Sequence, residues 1–169
     1  MNNRRSIRLS THDYSLGIYF ITLVTHKRQR LFGKIINGEM ILSAAGEEVR
    51  NQWLNLVNLR PNIRLDEFVV MPYHFHALIW IKSSGHLFED CLTFIAPGRT
   101  SRKFSGSHGP TLMAIIGSYK AGVSRLLRLF NDSFATVWQR NYYERILWNE
   151  TQLEIYRNYI RDNPKNWKD

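Results

Sequence analysis

Apolar residues follow two rhythms along this chain. From Leu16 to Thr25 (LGIYFITLVT), from Leu65 to Met71 and from His74 to Ile81 they form short runs rich in β-branched and aromatic side chains, the pattern of strands. From Ser43 to about Leu56 they recur at Ala45, Val49, Trp53 and Leu56. From Thr111 to Phe130 they recur at Leu112, Ile115, Ile116, Tyr119, Val123, Leu126, Leu127 and Phe130. Both sets have helical spacing. Ser43 can cap the first helix, with Glu47 and Glu48 in its early turns, and Pro61-Asn62 breaks the chain after it. Lys27–Gly38 reads as a basic loop and Glu39–Leu42 as a short strand. Val137–Trp148 reads as a fourth main strand with its flanks, and Glu150–Asn163 as a last helix stopped by Pro164. Pro72-Tyr73 alone separates the second and third main strands, so these should pair as an antiparallel hairpin.

The resulting order, β-α-β-β-α-β followed by a helix, is the ferredoxin-like (RRM-like) pattern of an α+β fold. It predicts a four-stranded antiparallel sheet with two helices on one face. The other face is left for a ligand or for the added C-terminal helix. Residues 1–15 read as a basic arm. Residues 83–109, rich in Ser and Gly with basic residues between, read as a flexible surface loop. No repeat is present, and 1–169 is expected to be one domain.

Composition narrows the classes. Apolar residues are 44% of the chain, enough for a packed core, yet no apolar run approaches the roughly 18 residues of a membrane span. The N-terminus carries no signal-peptide pattern. Cys91 is the single cysteine, so no internal disulfide framework exists, and a reducing, cytosolic setting is expected. Net charge is +9, from 23 Lys and Arg against 14 Asp and Glu. The cations cluster at Arg4, Arg5 and Arg8; at Lys27, Arg28 and Arg30; at Arg99, Arg102 and Lys103; and at Lys120, Arg125 and Arg128. Clusters of this kind neutralise phosphates, and exposed aromatic rings could stack on unpaired bases.

The chemistry starts at His74-Phe75-His76. Strand alternation puts His74, His76, Leu78 and Trp80 on one face and Phe75, Ala77, Ile79 and Ile81 on the other. Both faces are largely apolar, which suits a central strand covered on both sides. Two imidazoles side by side on a strand make half of a metal site. The last helix offers a complement. Tyr159 and Asn163 are one turn apart, beside an apolar stripe of Leu153, Tyr156 and Ile160. Periodicity does not choose Tyr159 over Tyr119, Tyr142 or Tyr143.

These residues resemble a family, the REP-associated tyrosine transposases, relatives of the single-tyrosine HUH transposases of insertion sequences. The resemblance covers nearly the whole chain. It rests on Asn3-Arg4-Arg5-Ser6-Ile7-Arg8-Leu9, Tyr19-Phe20-Ile21-Thr22, Leu31-Phe32-Gly33, and Leu65-Asp66-Glu67-Phe68-Val69-Val70-Met71-Pro72 with His74-Phe75-His76. It continues through Val137-Trp138-Gln139-Arg140-Asn141-Tyr142-Tyr143-Glu144 and Tyr159-Ile160-Arg161-Asp162-Asn163-Pro164. The chain departs from the pattern at Tyr73, where the family often has Asn or Glu, and it ends at Asp169, where some relatives continue.

The resemblance implies one HUH transposase/nuclease domain and a role for each matching residue. His74, His76 and Asn163 would hold a divalent metal, Mg²⁺ or Mn²⁺. Tyr159 would be the nucleophile on a single-stranded DNA phosphodiester, giving a 5′-phosphotyrosine link and a free 3′-OH. The implied partner is single-stranded DNA beside a REP-like hairpin, met by a monomer or homodimer in the bacterial cytoplasm at the nucleoid. Arg4, Arg5 and Arg8 are expected to read bases near the hairpin, and Arg99, Arg102 and Lys103 to contact backbone phosphates.

Three other classes compete. A histidine-triad hydrolase needs a third alternating histidine where Leu78 stands. A structural zinc site needs four nitrogen or sulfur ligands. A non-catalytic single-stranded nucleic-acid-binding module on a ferredoxin-like sheet remains the alternative, since it would use the same cations and aromatics.

Overall fold

A computed structural model describes residues 14–93, 111–130 and 136–168. Strand β1 (Gly17–Val24) leads through a short 3-10 turn (His26–Arg28) to a hairpin of β2 (Gly33–Ile36) and β3 (Glu39–Leu42). Helix α1 (Ala44–Leu54) and a single turn, α2 (Leu56–Leu59), precede the long strands β4 (Ile63–Met71) and β5 (His74–Ile81). A second short helix, α3 (Asp90–Thr93), then α4 (Leu112–Phe130), β6 (Tyr143–Leu147) and α5 (Glu150–Asp162) complete the chain order. The main sheet runs β4-β5-β1-β6, with every neighbouring pair antiparallel. This is the ferredoxin-like arrangement, with α5 added.

The local causes are those of the sequence. Ser43 Oγ accepts from the Gly46 N–H and starts α1, and Asn149 does the same for α5 through the Gln152 N–H. On β5, Phe75, Ala77, Ile79 and Ile81 point to one side. There they join Tyr19, Ile21 and Leu23 of β1 in a core closed by Val49 and Trp53 of α1 and Ile115, Ile116, Tyr119 and Val123 of α4. Leu78 and Trp80 point the other way and join Ile18, Phe20 and Leu147 under Leu153 and Ile160 of α5. The sheet is therefore covered on both faces, and α5 takes the face the pattern left unassigned.

Three expectations change. Gly33–Ile36 is a strand rather than loop. Asn37 and Gly38 both have positive φ, 51° and 77°, the backbone of a two-residue turn that joins β2 to β3. Within 83–109, Asp90–Thr93 is helical, and it seats the Cys91 side chain against the Ile18, Leu78 and Trp80 cluster. The fourth main strand is confined to Tyr143–Leu147, while Trp138 makes an isolated bridge with Thr25. Residues 1–13 of the basic arm and residues 94–110 lie outside the described residues. Among the described residues, no helix is long and apolar enough to cross a membrane.

Candidate active site

Sheet register builds the site. On β1, Thr22 is opposed by His76 of β5 and by Tyr143 of β6, and Val24 by His74. Directly opposed residues project from the same face, so the two histidines, Thr22 and Tyr143 share the face that α5 covers. The His74 and His76 rings lie 4.6 Å apart between centroids. His76 is 5% exposed, and its Nδ1 lies 2.9 Å from Thr22 Oγ1. Its Nε2 lies 3.4 Å from the Tyr159 hydroxyl.

Both imidazoles are held neutral. Burial drives His74 down to about 4, helped by the charge of Arg28 and opposed by a hydrogen bond with Asn163. Burial drives His76 to about 3, with the neighbouring His74 adding to the effect and a backbone hydrogen bond at Ile21 opposing it. Neutral imidazole is the form that binds metals. The Nδ1 of His74 is buried without a hydrogen-bond partner among the described residues. A buried ring nitrogen in that state suits a ligand. Among the described residues, no three His, Cys, Asp or Glu side chains converge as a metal site, so a cation here would need an amide oxygen. Asn163, the C-cap of α5 beside His74, is placed to give one. Two nitrogens and one amide oxygen fit a divalent cation that keeps open positions.

The tyrosines left open by periodicity separate in space. Tyr119 is 3% exposed, donates to the Val49 carbonyl at 2.9 Å, and belongs to the opposite face. Burial raises its hydroxyl well above the ordinary tyrosine value. Tyr142 packs against that same helix-side core. Tyr143 is on the site face, across β1 from the histidine strand. Tyr159, 48% exposed, has its hydroxyl at the His76 ring. Its ring meets Phe20 edge-on at 5.9 Å, and Phe20 stacks on His76 at 5.3 Å.

A network that the sequence reading did not single out fixes α5. β4 carries an irregularity between Leu65 and Phe68, where Asp66 and Glu67 leave the ladder. Asp66 accepts from Arg157 Nε at 2.9 Å and Nη2 at 2.7 Å, from the Trp80 indole at 2.9 Å and from the Glu67 N–H at 2.8 Å. Arg161, one turn after Arg157, pairs with Glu67 at 2.8 Å. The available signal was an i, i+4 arginine pair on the tyrosine helix and adjacent carboxylates on a strand. After α5 the chain turns back, and the Trp167 ring lies 5.9 Å from His74 and 5.1 Å from Tyr73. Tyr73, the departure from the family pattern, is thus a packing neighbour of the site. Arg28 stands over Tyr73 and Arg30 over Trp167, which puts the second basic cluster at the rim. From the fourth cluster, Lys120 donates to the Gln139 and Arg140 carbonyls. Arg4, Arg5, Arg8, Arg99, Arg102 and Lys103 lie outside the described residues.

No family model matches the chain. An uncharacterized protein of Haemophilus influenzae is 39% identical over 170 residues, covering 99% of this chain and 92% of that protein. Among solved structures, a REP-associated tyrosine transposase bound to a REP hairpin is similar with a TM-score of 0.57 and 18% identity. The match covers 99% of this chain and 76% of that one. A candidate transposase from Deinococcus radiodurans R1 has a TM-score of 0.48 and 13% identity, over 93% of this chain and 97% of that one. The first of these structures shares the fold and bears the name of the family the sequence resembles.

Proposed function

The chain belongs to the same family as the Haemophilus influenzae protein; from its site geometry and the fold it shares with a REP-associated tyrosine transposase, we propose that it cleaves and rejoins single-stranded DNA beside a hairpin through a covalent tyrosine intermediate. The observation that carries this reading is the Tyr159 hydroxyl, half-exposed to an incoming strand, 3.4 Å from the buried His76, one of two neutral histidines side by side on β5.

Tyr159 attacks the phosphorus. The bond to the 3′ oxygen breaks, the 3′-OH leaves with a proton, and the 5′ phosphate stays on tyrosine as an ester. Attack by another 3′-OH reverses the step and rejoins DNA, so the phosphodiester is conserved. A neutral phenol is a weak nucleophile, so the attack needs help at neutral pH. A divalent cation held by His76 Nε2, His74 and Asn163 would supply polarisation of the phosphate oxygens. Phe20 and Ile160 keep the base of the site dry, and Thr22 sets the His76 ring. Arg157 and Arg161 fasten α5 to the sheet of its own chain, which supports a site complete within one protomer. The REP hairpin bound by the structural relative makes a hairpin with a single-stranded flank the DNA to test.

The test uses such a labelled oligonucleotide with Mg²⁺ or Mn²⁺. The wild type should form a denaturant-stable adduct, lost on chelation. Tyr159→Phe should abolish the adduct and keep DNA binding. Binding without any adduct would leave the non-catalytic module as the function. Mass spectrometry placing the adduct on Tyr119, Tyr142 or Tyr143 would overturn the assignment of the nucleophile.

A further inference from the structure

The aromatic surface around Tyr159 does not end there. Phe20 is its hub: it meets Tyr156 at 4.5 Å, Tyr159 at 5.9 Å and, toward the sheet edge, Tyr143 at 6.4 Å. Because Thr22 is opposed by both His76 and Tyr143, the three side chains stand in one row across the sheet. Two strand spacings put Tyr143 about 10 Å from His76. Tyr143 is 54% exposed on β6, the last strand of the sheet order. Arg145, next on the same face of β6 and exposed, holds its guanidinium 5.7 Å from the centre of the Tyr156 ring. A tyrosine ring fixed on a strand offers a stacking surface, and an adjacent guanidinium offers a phosphate contact. Together they match one unpaired nucleotide, which duplex DNA cannot supply because its bases are already stacked.

We propose that Tyr143 and Arg145 form a nucleobase subsite that holds the unpaired nucleotide next to the phosphodiester presented to Tyr159. This rests on the single-strand cleavage reading and gives its preference for unpaired DNA a structural cause. The base lies on the Tyr143 ring and its phosphate meets Arg145, while the neighbouring phosphate reaches the histidines. The stack tolerates any base, so it fixes the register of the strand without reading its sequence.

Abasic scanning of the flank tests this. Hairpin oligonucleotides with one abasic site at each successive flank position are titrated against the wild type, Tyr143→Ala and Tyr143→Phe by fluorescence anisotropy. Adduct formation is followed in parallel. One flank position should weaken wild-type and Tyr143→Phe binding roughly tenfold when its base is removed, and that penalty should vanish in Tyr143→Ala. Abasic penalties equal in the wild type and Tyr143→Ala, or a penalty lost equally in Tyr143→Phe, would overturn the subsite. Equal penalties with a normal Tyr159 adduct would leave the functional reading intact. A vanishing penalty with no adduct on any DNA would keep the subsite and remove the cleavage reading.

Discussion

The two faces of the central sheet are built from the same strands and behave differently. On the face toward α1 and α4, Phe75, Ala77, Ile79 and Ile81 are fully buried from one end of β5 to the other. On the face toward α5, the same strand runs from Trp80 and Leu78, under Leu153 and Ile160, to His76 and His74. Hydrocarbon gives way to imidazole along one row of alternating positions. The apolar half of that row seats α5, and the seat delivers Tyr159 to the polar half. The packing of one end is therefore also the alignment of the other. The histidines are neutral because they border a dry cluster, and Tyr159 is half-exposed because it lies at the edge of the buried stripe of α5, next to the buried Ile160.

That contrast predicts a separation of stability from chemistry. Phe75 is fully buried, with Trp53, Tyr119 and Phe68 rings at 5.0, 5.8 and 6.0 Å. Phe75→Ala should cost about 3–5 kcal/mol in urea unfolding. The adduct rate per folded molecule should be nearly unchanged, since the ring points away from the site. Tyr159→Phe should do the reverse, removing the adduct at a cost of less than about 0.5 kcal/mol. A Phe75→Ala protein that stays folded but loses its adduct rate would show that the two faces are coupled through β5.

Asp66 sits where the faces meet the sheet edge, and its substitution should act on both quantities. Burial alone would raise its carboxyl. The Arg157 hydrogen bond, the Glu67 N–H, the Trp80 indole and the Arg157 charge outweigh burial and hold it below the ordinary value near 3.8. A folded value below the unfolded one means the contribution is fully present above about pH 3.8 and is lost as pH falls through the lower folded value. Asp66→Asn should cost about 2 kcal/mol near neutral pH, because Arg157 loses its closest carboxylate and keeps only the longer contact to Glu154. It should also slow adduct formation by loosening α5. Below pH 4 the melting temperature of the wild type should fall more steeply than that of the variant. Parallel pH profiles would remove Asp66 as the source.

How far the sequence reached follows from the range of each interaction. The Ser43 cap, the β4–β5 hairpin and the alternation of His74 and His76 are set by neighbours in sequence, and all are present as read. The β2–β3 hairpin was also locally encoded, in Asn37-Gly38, but the basic residues around it read as loop. Tyr159 and Tyr119 have equal claims by periodicity; only the packing of α4 and α5 on opposite faces separates them. The Asp66–Arg157 pair spans 91 positions; the i, i+4 arginines and the adjacent carboxylates each stand out locally, but nothing local joins one to the other. The family resemblance named the histidines, Tyr159 and Asn163 as a set, and the structure brings them together. It gave Thr22 no role, since a hydroxyl in a strand motif looks like any β-former.

Thr22 carries the smallest and most discriminating prediction. Its hydroxyl is 2.9 Å from His76 Nδ1. With the ring neutral and the proton on Nδ1, the Nδ1–H donates to the Thr22 hydroxyl oxygen and leaves the Nε2 lone pair facing Tyr159 and the candidate metal position. Thr22→Val keeps the shape and removes the oxygen. It should cost about 1 kcal/mol in stability, far less than Phe75→Ala on the opposite face. Yet it should lower adduct formation about tenfold and raise the divalent-ion concentration needed for half-maximal rate, because the ring is no longer oriented. Thr22→Ser restores the oxygen and should recover both. A merely structural role would lower stability without moving the metal dependence. Wild-type metal titration curves for Thr22→Val would show that the strand alone orients His76, and that α5 contributes Tyr159 to a site whose histidines need no help from β1.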